Sequence, residues 1–120
     1  YLYSFPAPTI NGNLSDANFG ANNTVILQQI ISNWNVNTVG WFNLPTTTST
    51  NQIVVPSTTQ TTLDLNLDVK SIVSSMVNTN ANYGFLLKLQ NEIAYTSRLF
   101  VSSYNTAYPA KRPKLVIVFE

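Results

Sequence analysis

Two carboxylates are the minimum equipment of a glycosidase, and the only acids of this sequence that stand close together are Asp64 and Asp68. On an extended backbone, residues four apart share a face at about 13 Å, beyond the roughly 5 to 9.5 Å that glycoside hydrolysis needs. The other acids, Asp16, Glu92 and Glu120, are scattered along the chain. The sequence has no histidine and no cysteine. That removes the usual general base, the Ser-His-Asp triad, the thiol nucleophile, disulfides and most zinc ligand sets. The expectation is a chain that is not an enzyme and carries no cofactor. One oxygen-rich cluster, Asp16 beside Asn11, Asn13 and Asn18, is a weak calcium candidate, and the same residues read better as a solvated Asx-type loop.

What remains is aromatic chemistry. An aromatic face offers an apolar platform to the C–H side of a sugar ring, and Trp34, Trp41, Tyr83, Tyr95, Tyr104 and Tyr108 are the available platforms. Tyr104 and Tyr108 stand in the polar loop from Ser102 to Arg112 and are expected at the surface. Together with Tyr95 and Arg112 they form the candidate carbohydrate site. Trp34 and Trp41 are expected inside, because a large buried indole is an effective source of core area in a small domain without disulfides.

These side chains need elements to hold them, and 120 residues suffice for one modest core. Charged residues are only 9% of the chain against about a quarter in ordinary domains, so Asn, Thr, Ser and Gln must supply the polar surface. Such a neutral surface suits an extracellular or cell-surface β-protein. The net charge of +1 leaves no field to hold nucleic acid, and no apolar stretch reaches the roughly 18 residues of a membrane span. The basic run Lys111-Arg112-Pro113-Lys114 reads as the solvated start of a strand.

Strict alternation marks strands at Tyr1 to Phe5 and Leu63 to Leu67. Further strands are expected over Thr24 to Ile31, Ile53 to Val55, Gly84 to Leu89, Ser97 to Val101 and Lys114 to Phe119. The last is read as a central strand covered on both faces. The hydroxyl-rich stretches Thr46 to Thr50 and Ser57 to Thr62 read as loop or edge material, and Ile10 to Asn23 as a long loop. Val69, Ile72, Val73, Met76 and Val77 change to helical spacing behind Asp68, which predicts one short helix over about 69–77 plugging an open end of the fold. Seven or eight short strands and one helix point to an all-β, jelly-roll-like antiparallel β-sandwich.

Several features follow in order: Trp34 with Thr38-Val39, Trp41 and Pro45, then Asp68-Val69, Asn82-Tyr83-Gly84-Phe85, Ser102-Ser103 and Arg112-Pro113-Lys114-Leu115. Together they resemble the DNRLRE-type domain, related to extracellular bacterial carbohydrate-binding modules. Val36 and Gly40 stand where that family commonly has an acid and a threonine. The resemblance implies a jelly-roll-like module of a secreted or surface protein, of which residues 1–120 are the later two-thirds, an incomplete or excised part. Its partner would then be a polysaccharide. In a second reading the chain is a structural segment of an adhesin or extracellular filament, completed by strands from an upstream segment or a neighbouring subunit.

Overall fold

The computed structural model describes residues 1–6, 22–60, 62–94 and 96–118. Their contacts gather into two compact units. One comprises Tyr1–Asn23, Ser57–Leu67 and Asn91–Glu120, the other Thr24–Pro56 and Asp68–Gln90.

The second unit holds the hydrogen-bonded sheet. Its strands are β1 (Val25–Ile30), β2 (Thr47–Val55) and β3 (Phe85–Leu89), antiparallel in the order β2-β1-β3. All six residues of the central strand β1 are buried, including Gln28 and Gln29. A buried amide is costly unless bonded. Gln28 meets the condition by donating from Nε2 to Gln52 Oε1 at 2.7 Å and accepting from Thr47 Oγ1 at 2.8 Å. The register slips between Leu27, which faces Ile53, and Gln29, which faces Thr48, so β2 carries extra residues there. Asn51 lies in that bulge at a φ of 60°, a left-handed conformation that asparagine tolerates better than most residues.

The stretch Thr46 to Thr50 is therefore not loop: Thr47 onward forms the first half of β2. Threonine is β-branched and fits an exposed edge, where its hydroxyl faces water while its backbone pairs. The expectation of edge material was the sound part, since β2 flanks the described sheet on one side.

Helix α1 (Lys70–Asn78) lies beside β2 and falls within one residue of the predicted span. Asp68 Oδ1 accepts the Lys70 amide at 2.9 Å, satisfying one of the free donors of the first turn. Ile72 and Met76, one turn apart, are the buried pair, while Val77 is exposed, although the helical spacing had grouped it with them. The helix ends in a Schellman arrangement: Ala81 donates to Met76 O and Asn80 to Val77 O, with Asn80 at a φ of 49°.

Among the described residues, the first unit shows isolated bridges. Leu2 exchanges both backbone bonds with Leu65, and Ser4 bridges Phe100. Tyr1 and Tyr3 stack at 6.4 Å, which confirms that the alternating aromatics share a face. Leu65 and Val101 are buried, and Asn23 is wholly so. The Asn23 side chain donates to Thr58 O and accepts from Ser57 Oγ and the Thr58 amide, tying two loops by one amide group.

Three strand expectations shrink here to single bridges, at Leu2 and Ser4, at Leu65, and at Phe100. A larger correction concerns the segment from Lys114. Within its described part, 114–118, there is no strand, and Leu115, Val116, Ile117 and Val118 are all exposed. An apolar run becomes a central strand only if chains flank it on both edges, and among the described residues only Tyr1 pairs with it, at Lys114. The described residues thus contain one antiparallel three-stranded sheet, isolated bridges and one α-helix. Among the described residues no helix is long and apolar enough to cross a membrane.

Candidate functional site

The loop that carries the predicted aromatics is an excursion from one line of backbone. Val101 donates to Tyr3 O at 2.9 Å, the chain then leaves, and Lys114 rejoins the same edge of residues 1–5 by pairing with Tyr1. Residues 102–113 make the detour. Asn105 organises it: the Asn105 amide donates to Ser102 O at 3.2 Å, Oδ1 accepts the Tyr108 amide at 2.7 Å, and the carbonyl accepts Arg112 Nε at 2.9 Å. Proline at the first position of the 3₁₀ turn Pro109–Lys111 presets its backbone angle. Lys111 then reaches Asp64, with Nζ 3.2 Å from Oδ2.

This network separates the predicted site residues by role. Tyr104 is 90% exposed, a free platform at the tip of a tied loop. Tyr108, expected at the surface with it, is half-buried: its ring meets Phe5 edge-on at 5.5 Å. The reason is packing: the Phe5 amide pairs with Leu99 O, and an edge-on ring is a favourable neighbour for its side chain. Arg112 is exposed, and its Nε donates to the Asn105 carbonyl, which fixes the guanidinium in the loop. Tyr108 and Arg112 are thus brought together through Asn105. Tyr95 and Asp16 lie outside the described residues.

A second exposed aromatic group stands in the other unit. Trp34 is 42% and Trp41 64% exposed, and Phe42 is fully so. The expectation that both indoles fill the core is overturned. That core is made of aliphatic side chains, Val25, Ile26, Leu27, Ile30, Val55, Ile72 and Met76, and the tryptophan loop is held by its own asparagines. Asn35 Oδ1 accepts the Asn37 amide, Asn43 Nδ2 donates to Thr38 O at 2.8 Å, and Asn43 Oδ1 accepts the Gly40 amide. With the amides turned inward, the indoles and Phe42 face out. Trp34 Nε1 is already spent on Tyr83 O at 2.8 Å.

The sequence reading missed Phe42 altogether. The signal was present: Asn35, Asn37, Gly40 and Asn43 are turn-forming residue types in close succession, and Trp41-Phe42 stand between the last two.

Among the described residues no further chemistry gathers elsewhere. Asp68 serves α1 and Asp64 serves Lys111 and the Ser4 amide, so neither is free for a paired role. Among the described residues no three of the Asp, Glu, His or Cys type cluster. Burial lowers the proton affinity of the Arg98 guanidinium, which lies 5.8 Å from the centre of the Phe100 ring. An open depression of about 480 Å³ beside α1 is lined by Asn51, Lys70, Ser71, Ser74, Ser75 and others, with hydroxyls and amides but no carboxylate or aromatic ring. No protein-family model, no curated protein and no solved structure matches this chain.

Proposed function

We propose that this chain is a non-catalytic extracellular module of a bacterial surface or secreted protein, a jelly-roll-like β-sandwich that holds polysaccharide on exposed aromatic platforms. The observation that carries the reading is Tyr104, an almost fully exposed ring on a loop whose backbone Asn105 already ties down. Tyrosine gives a large amphipathic contact at small entropic cost, and a tied loop reduces that cost further. Arg112, held through Nε, offers the remaining guanidinium donors to hydroxyl or uronate oxygens. The neutral Asn- and Thr-rich surface and the resemblance to DNRLRE-type domains support the same reading.

Affinity gel electrophoresis against neutral and uronate polysaccharides tests it. Retardation that Tyr104→Ala abolishes and Arg112→Ala weakens is the expected result. Migration unchanged on every glycan overturns it. The exposed run Leu115 to Val118 favours a second reading, a structural segment of an adhesin or filament completed by a strand from elsewhere.

A further inference from the structure

We infer that the loop joining β1 to β2, residues 31–46, is a docking tip for the surface of a zwitterionic phospholipid bilayer, seated by Trp41 and Phe42 without crossing it. Hairpin connections usually take about two to five residues, and loops beyond about 12 are uncommon outside functional sites. This one closes at its neck, where Ile31 N donates to Thr46 O at 2.9 Å and Thr46 N to Ser32 Oγ at 2.8 Å. Beyond the neck, Trp34, Val36, Trp41, Phe42 and Leu44 are all exposed.

Three observations choose the occupant. The loop spends its polar groups on itself. Asn35 O accepts the Thr38 and Val39 amides, Asn35 Oδ1 the Asn37 amide and Asn43 Oδ1 the Gly40 amide, so four consecutive amides are bonded inside the loop. The Trp34 indole is likewise satisfied, by Tyr83 O. Water bonds any exposed group and requires no such closure, whereas an apolar medium does. A sugar asks for the opposite, polar groups left open beside the ring to fix its orientation. The second observation is charge. No Asp, Glu, Lys or Arg stands between Asp16 and Asp64, and Lys88, the one charge of β3, pairs with Ile26, well back from the end of β1 at Ile30. Seating the tip therefore desolvates no ion of its own and needs no anionic headgroup. The third is shape. Phe42 is fully exposed on the 3₁₀ turn Trp41–Asn43, so the tip is convex. A folded partner must offer a pocket matched to it, while fluid lipid closes around any protruding ring. Tryptophan beside it suits the headgroup level, where amphipathic rings are favoured. This inference goes beyond the glycan reading and does not rest on it.

Sedimentation of the whole chain with phosphatidylcholine vesicles tests it, together with tryptophan emission. The chain should sediment with the vesicles, its emission should shift to the blue, and bromine near the headgroup end of the acyl chains should quench it more than bromine near the methyl end. Added phosphatidylglycerol and high salt should leave the binding unchanged. Trp41→Ser and Phe42→Ser should each weaken partitioning about ten-fold or more, while their denaturation curves stay with that of the parent chain. Several results overturn the inference: no sedimentation with vesicles, binding that neither variant weakens, or binding that requires anionic lipid. Polysaccharide retardation lost in Trp41→Ser would give the loop to a sugar instead. Sedimentation without vesicles that rises with protein concentration and is lost in Phe42→Ser would give it to a second copy. Retardation that depends on Tyr104 is a separate readout, so the two readings fail separately.

Discussion

The unit containing the sheet and the unit containing the Tyr104 loop draw on the same neutral residue types yet are held in different ways. In the first, a fully buried strand is paired on both sides and α1 adds Ile72 and Met76 to an aliphatic core. In the second, among the described residues, isolated bridges at Leu2 and Ser4 are supplemented by polar side chains acting as hubs: Asn23 on Ser57 and Thr58, Asp64 on Ser4 and Lys111, Asn105 on Tyr108 and Arg112. Ladder bonds are repeated, so no single one matters much. A hub joins several backbone groups through one side chain, and its loss orphans them together.

The comparison makes its largest prediction in the sheet unit. Ile72 is 1% exposed, and Ile72→Ala should lower stability by about 2 to 5 kcal/mol, read from chemical denaturation. Next is Asn23→Ala, which strips partners from Ser57 and Thr58 at a wholly buried position and should cost about 3 kcal/mol. Exchange should localise the damage: the Leu2 and Val101 amides should lose protection before those of Ile26 and Leu27. Equal loss in all four would mean that the two units open as one, and the distinction between ladder and hub would fail.

Asp64 allows a finer division. Its carboxylate accepts the Ser4 amide at 2.9 Å and pairs with Lys111 at a half-exposed site. Lys111→Ala removes only the ion pair, which water screens, so the cost should stay below about 1 kcal/mol and vanish in high salt. Asp64→Ala also leaves the Ser4 amide without its acceptor, at a residue that is buried, and should cost about 2 kcal/mol in any salt. Equal costs for the two variants would show that the amide bond contributes nothing.

The same contrast explains what could be read from the sequence. β1, β3 and α1 were legible because burial imposes a period, and both hydrophobic runs and helical spacing record it. The first half of β2 was not, since an exposed edge strand needs no apolar face and its threonines look like linker. Leu115 to Val118 misled in the opposite sense: the run has the composition of a buried strand, but the sequence of a strand does not state which chain lies beside it. In the candidate site, Tyr104 was legible from its polar loop. The anchoring of Tyr108 on Phe5 was not, because the two residues are remote in sequence and meet only in the folded chain.

The smallest expected effect is also the sharpest test of where the tryptophans sit. Trp41 is exposed in a loop whose conformation is fixed by Asn35 and Asn43, and its ring lies outside the aliphatic core. Trp41→Ser should therefore change stability by no more than about 0.5 kcal/mol, the range of ordinary surface substitutions. A buried indole would cost about 3 to 5 kcal/mol on truncation, so one denaturation curve separates the two placements. Asn43→Ala should cost more than Trp41→Ser, because it frees the Gly40 amide and the Thr38 carbonyl together. That inversion, an asparagine mattering more than the tryptophan two residues before it, is what a hub-held loop requires and what a core-held loop forbids.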